Sequence, residues 1–230
     1  MKKSRLLGAV SAGIIGFVCS TSHAITLHTS DFIDDASRSN FNGFEAIPND
    51  GATYTGGSGP YIEDGVKVEQ INGDRGNDIA VIYSGGTYEG SYSWYPNGGD
   101  LGYTMITMAD GSDFNNIGFY AGTGDSPSLI LFDLLLDGSS VFSGSTPFIG
   151  TRGDFNYIGF SGGGFDAMLV RDNLGGGNSF YDGGLNSLAL DAIETSAVPI
   201  PPAIWLFGSG LLGLVRVASH KKVLVSTSMV

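Results

Sequence analysis

Ser128-Leu-Ile-Leu-Phe-Asp133-Leu-Leu-Leu-Asp137-Gly138-Ser-Ser-Val-Phe142 is the stretch on which the fold turns. A largely apolar run meets Asp-Gly, and a second short run follows. Both central residues of a type I′ turn need positive φ, which Asp tolerates and Gly adopts freely, so the pair predicts a β-hairpin. Further short runs with period-two alternation, bounded by Gly, Asp and Asn, lie on either side of it. They are Val66 to Gln70, Ile79 to Tyr83, Thr87 to Tyr95, Tyr103 to Met108, Phe114 to Ala121, Asn156 to Phe160, Phe165 to Arg171 and Ser187 to Ile193. Between Ile25 and Glu194 no helix-length segment carries a 3.6-residue period. Roughly ten short strands predict an all-β domain, a jelly-roll-like β-sandwich over residues 25–195. The 37 glycines among 230 residues suit its many tight turns.

The two ends differ from this body. Residues 1–24 open with Lys2, Lys3 and Arg5, continue through an apolar run from Leu6 to Val18 and close on Ser22-His23-Ala24. That pattern predicts a secretory signal peptide cleaved after Ala24 by signal peptidase, once the export machinery has engaged it. At the other end, Pro199 and Pro201 precede an uncharged run from Ala203 to Val215 that holds Trp205, Gly208 and Gly210, and Lys221 with Lys222 follow. The run predicts a single hydrophobic helix, marginal in length for about 30 Å of hydrocarbon, with a basic stop on the cytoplasmic side of the inner membrane.

The order Val198-Pro199-Ile200-Pro201, then Trp205-Leu-Phe-Gly208-Ser-Gly210-Leu-Leu-Gly-Leu, then Lys221-Lys222 resembles the PEP-CTERM sorting signal, in its variant headed by Val-Pro-Leu-Pro-Ala. The resemblance covers residues 198–222 and implies recognition by a membrane-embedded exosortase, removal or transfer of the helix, and a place beside exopolysaccharide at the cell surface. It departs from the family at Pro202 and Arg216, at Ser219 and His220 where an Arg run is usual, and in a longer tail over residues 223–230.

All 23 acidic residues lie between Asp31 and Glu194 with only five of the 11 Lys and Arg, a balance of −18. Such a field repels phosphate backbones and excludes nucleic acid as a partner. Cys19, the single cysteine, falls in the leader, so the mature chain has neither thiol nor disulfide. His28 is then the sole imidazole of the domain, which argues against His-clustered metal sites and His-based proton relays. Gly159-Phe160-Ser161-Gly162-Gly163 matches the Gly-x-Ser-x-Gly elbow, yet the only later histidine is His220 in the tail, so the segment reads as a loop.

Two segments carry candidate binding chemistry. Asn72-Gly-Asp74-Arg-Gly-Asn77-Asp78 groups hard oxygen donors, and Asp74, Asn77 and Asp78 are candidate Ca²⁺ ligands unless the loop is only a polar turn. In Tyr88-Glu-Gly-Ser-Tyr92-Ser-Trp94-Tyr-Pro-Asn97-Gly-Gly-Asp100, a strand would put Tyr88, Gly90, Tyr92 and Trp94 on one face. The gap at Gly90 would receive something flat, with Asn97 and Asp100 binding hydroxyls and Ser93 facing solvent. The stripe is either core or a glycan platform, and core is the commoner use of such a pattern. Gly111-Ser-Asp113-Phe114-Asn115-Asn-Ile117-Gly118-Phe119 also recurs as Arg152-Gly153-Asp154-Phe155-Asn156-Tyr-Ile158-Gly159-Phe160, either as two equivalent strand starts or as a twice-used ligand loop, the first being favoured. Together these features predict an exported, non-enzymatic surface or matrix protein whose sandwich binds exopolysaccharide. The alternative is a secreted polysaccharide hydrolase with a carboxylate pair.

Overall fold

The computed structural model describes residues 24–46, 54–58, 60–72, 79–83, 87–96, 102–123, 128–151, 153–173 and 187–197. The leader up to His23, Asp74, Asn77, Asp78, Asn97, Asp100 and the whole sorting signal from Val198 to Lys222 lie outside the described residues.

Two antiparallel sheets form a sandwich. The larger places β1 (Thr26–His28), β12 (Phe155–Phe165), β9 (Phe114–Thr123), β14 (Leu188–Ala197), β7 (Ser93–Trp94), β6 (Ile79–Tyr83) and β3 (Tyr54–Ser58) side by side, and β2 (Asn40–Asn42) also pairs with β14. The smaller runs β11 (Ser139–Pro147), β10 (Leu129–Leu136), β13 (Ala167–Asp172), β8 (Tyr103–Met108), β5 (Val66–Ile71) and β4 (Tyr61–Glu63). The expected all-β sandwich is thus the observed fold, and among the described residues no helix is present.

The hairpin that decides the fold forms between β10 and β11, with φ of 51° at Asp137 and 71° at Gly138. A Cβ added at Gly138 meets nothing within 4 Å, so a substitution there tests the backbone alone. Gly138→Ala should cost about 1 kcal/mol, or roughly 2–4 °C in a thermal melt, because an L side chain is strained at that φ. An unchanged or raised melting temperature would show that the turn does not require glycine.

Alternation fills the interior from both sheets. Ile117, Phe119, Ile158, Phe160, Leu188, Leu190 and Trp94 face Ile130, Phe132, Leu134, Met168, Val170, Ile106, Val66 and Val68, all at most 2% exposed. The Phe132 and Phe160 rings, one from each sheet, stand 4.8 Å apart. The two copies of the repeated segment start β9 and β12, which pair with each other. Ile117 lies opposite Phe160, Gly118 opposite Gly159 and Phe119 opposite Ile158, so the shared Ile and Phe both serve the core.

One expected strand is absent. From Thr87 to Tyr95 only Ser93–Trp94 pairs as strand, and the preceding residues bend. Side-chain carboxylates take the amides that a neighbouring strand would have used. Asp191 Oδ2 accepts the Tyr88 and Glu89 N–H groups at 2.7 and 3.0 Å, and Glu45 Oε1 accepts those of Ser91 and Tyr92 at 2.6 and 2.9 Å. Gly90, at φ 60°, lets the Glu45 carboxylate approach so closely that any Cβ there would collide with it.

Candidate functional site

The bent segment corrects the expected aromatic face. Trp94 is fully buried against Phe44 and donates its indole N–H to Thr104 Oγ1 on the opposite sheet at 2.9 Å; Tyr92 is buried as well. Neither ring can meet a sugar, so the core reading holds for both. Ser93, expected in solvent, is 1% exposed, and the gap at Gly90 is occupied by the chain's own Glu45 rather than open to a ligand. Of the three aromatic residues of that set only Tyr88 is exposed, at 51%, and it stacks on Tyr120 of β9 with ring centroids 3.3 Å apart.

That stack opens onto a larger aromatic surface on the outer face of the larger sheet. Tyr120 lies directly opposite Tyr157 of β12, edge to face at 5.1 Å. Tyr157 in turn meets Phe32 at 6.4 Å, and Phe32 stacks on His28 at 3.9 Å with the rings 10° from parallel. The rings can pack this closely because the strand positions beneath them are glycine: a Cβ at Gly118 would strike the Tyr157 hydroxyl, and one at Gly159 would strike Phe32. Beside Tyr157 a groove of about 450 Å³ opens between the two sheets, lined by Thr29, Phe155 and Asn156 and, from the smaller sheet, by Ile130, Thr146 and Pro147.

Polar groups border the rings. Glu194 of β14, opposite Gly118, is 4% exposed, accepts a hydrogen bond from Tyr157 Oη at 2.8 Å and has the Arg38 guanidinium at 3.8 Å. Burial pushes its carboxyl up to about 7, and Asp31 beside it acts in the same direction against the Tyr157 hydroxyl and Arg38. Burial likewise raises Asp191 to about 6, opposed by the amides of Glu89, Tyr88 and Ala192. Tyr120 and Tyr157 are both raised, first by burial, then by their hydrogen bonds to Tyr88 and Glu194 respectively. At the far end, His28 Nε2 lies 2.8 Å from Ser161 Oγ, and Asn116, opposite Ser161, donates to Ser196 Oγ at 2.6 Å.

One expectation falls here. The Gly159 to Gly163 segment is strand β12 rather than a loop, and His28 lies within hydrogen-bond reach of the serine of that segment. Sequence order hid the pair, because His28 precedes Ser161 by 133 residues. The repeat held a readable signal: its inward Ile and Phe agree between copies, whereas the outward Asn116 and Tyr157 differ, as do Tyr120 and Ser161 just beyond it, with Gly118 and Gly159 between them shared. Among the described residues, no group of three or more His, Cys, Asp or Glu is placed to hold a metal ion, and no helix is long and apolar enough to cross a membrane.

No protein-family model matches the chain, and no curated protein matches it. Solved structures show loose likenesses. One is the Clostridium perfringens ZmpB structure with its CBM32-1, CBM32-2 and M60 catalytic domains, at 13% identity and TM-score 0.38, over 77% of this chain and 17% of that one. Another is the enzymatically active domain of bacteriophage CBA120 tailspike protein 4, at 15% identity and TM-score 0.31, over 58% and 19%. A third is the family 11 carbohydrate-binding module of Clostridium thermocellum in complex with a β-1,3-1,4-mixed-linked tetrasaccharide, at 15% identity and TM-score 0.28, over 69% and 95%. The chain therefore spans under a fifth of the first two proteins, and likeness this loose says nothing of a ligand.

Proposed function

We propose that this chain is an exported surface or matrix protein, sorted through residues 198–222, that holds a polysaccharide on the outer face of its larger sheet. The observation that carries the binding role is the half-exposed Tyr88 ring, held flat on Tyr120 above a continuous row of aromatic side chains. A ring already fixed by stacking loses little freedom when a sugar face covers it, so the apolar area removed from water is retained as affinity. The excess of acid favours a neutral or amine-bearing polymer over an anionic one. The rival, a hydrolase with paired carboxylates, has less behind it. Asp191 is committed to three backbone amides, and Glu194 lies beneath Tyr157 and Arg38.

Tyr88→Ala should weaken retention in gels containing bacterial exopolysaccharide about tenfold, the equivalent of one stacking contact, with the fold intact and the melting temperature lowered by only about 2–4 °C for the lost Tyr120 stack. Retention equal to that of the unaltered protein would refute the platform. For sorting, replacing Pro199 and Pro201 with Ala should leave a full-length, membrane-held precursor. Mass spectrometry of the C-terminus checks it, and an unchanged mature terminus would refute the exosortase reading.

A further inference from the structure

We propose that Ser161 and His28 form a nucleophile and general base that hydrolyse acyl esters, of the kind carried by O-acylated polysaccharide; the choice of polysaccharide rests on the binding face described above. With its proton on Nδ1, His28 accepts the Ser161 hydroxyl proton at Nε2, across the observed 2.8 Å. The imidazole is held in plane by the Phe32 ring, for which Gly159 leaves the space, and both His28 and Ser161 remain partly open to solvent.

The strand changes just past the serine. Pairing with β9 stops at Ser161 opposite Asn116 and resumes only at Phe165 opposite Phe114, so Gly162, Gly163 and Gly164 face the single residue Asn115 in a bulge, with Gly162 at φ 101°. A nucleophile elbow presents its serine by a sharp turn into a helix; here a bulge does so within a strand. The inserted amides lie next in the chain to the hydroxyl. Asn116, opposite Ser161, gives one Nδ2 hydrogen to Ser196 and has a second to offer a developing oxyanion.

In the first half-reaction Ser161 Oγ attacks the acyl carbon and its proton passes to His28 Nε2. The carbon–oxygen bond to the sugar then breaks, and the leaving alkoxide takes that proton and departs as the alcohol. Water next attacks the acyl-serine and gives a proton to His28. Collapse releases the carboxylic acid, and the proton returns to Ser161, so ester and water have become acid and alcohol. Among the described residues no carboxylate bonds Nδ1, so turnover should be slower than that of a full triad.

The full-length chain decides the question with 4-nitrophenyl acetate and a fluorophosphonate probe. Ser161→Ala and His28→Gln should each lower ester turnover about 100-fold or more, Ser145→Ala on the other sheet should leave it unchanged, and the probe should label Ser161 in the unaltered protein. Turnover no higher than that of Ser161→Ala, or no label on Ser161, overturns the dyad. The label needs no variant, so it decides the matter even if a substitution unfolds the chain. Retention on exopolysaccharide without ester turnover overturns the dyad and leaves the binding face standing. Turnover of 4-nitrophenyl acetate without acetate release from acetylated xylan overturns the polysaccharide assignment alone.

Discussion

Trp94→Ala unfolds the sandwich or lowers its melting temperature by roughly 8–15 °C, since truncating a buried aromatic costs about 3–5 kcal/mol. The residue lies on a two-residue strand, bound through its backbone to Leu190 on one side and Ile82 on the other, and its ring reaches across to the second sheet. Removing the ring opens a cavity beside Phe44 and strips Thr104 Oγ1, itself fully buried, of its indole partner. About 1–3 kcal/mol of that cost is the second loss, because an unsatisfied buried hydroxyl forfeits its solvation without compensation. Trp94→Phe, which keeps most of the volume but not the donor, should fall between the two. Circular-dichroism melts of the three proteins measure the series. A cooperative Trp94→Ala transition within about 2 °C of the unaltered protein would mean that the ring contributes little to the core.

The fate of Trp94 also shows where the sequence was readable. Alternation located the long inner strands, and the Asp137-Gly138 pair located the hairpin, because both are local signals. β1, β2 and β4 went unseen because three residues leave no room for a period to declare itself. The segment from Tyr88 to Tyr92 alternates like a strand, yet Glu45 and Asp191, remote in sequence, capture its amides and bend it. The candidate site suffered most from distance. Tyr88 was identified on the wrong face and with the wrong neighbours, since its partner Tyr120 belongs to β9, and the His28–Ser161 contact joins residues at opposite ends of the domain. Charge and alternation say which side of a strand is wet; they do not say which wet side chains meet.

Raising the pH from 5 to 8 should destabilise the domain, the reverse of what ordinary surface carboxylates do. Glu194 takes a proton at about 7 in the folded chain against 4.5 unfolded, and Asp191 at about 6 against 3.8. Between each pair of values the folded state holds the extra proton, so stability is full below the lower value, falls as pH rises through the window and levels off above the upper one. For Glu194 the fall is on the order of 3 kcal/mol. The cause is burial first and then Asp31: protonated, the buried carboxyl donates to Asp31; ionised, it loses hydration and meets the Asp31 charge, which the Tyr157 hydroxyl and Arg38, 3.8 Å away, only partly offset. Glu194→Gln keeps the acceptor for Tyr157 and removes the titration. The variant should match the unaltered protein near pH 5, melt higher at pH 8 and show a flatter profile between, the remaining slope belonging to the other buried carboxyls raised by burial, Asp191 and Asp172. Parallel profiles for the two proteins would show that Glu194 does not hold its proton near neutrality. Because Tyr157 braces Tyr120, and Tyr120 supports Tyr88, the same titration should loosen the aromatic face over the same window. Exopolysaccharide retention measured from pH 5 to 8 should weaken with rising pH in the unaltered protein and stay level in Glu194→Gln.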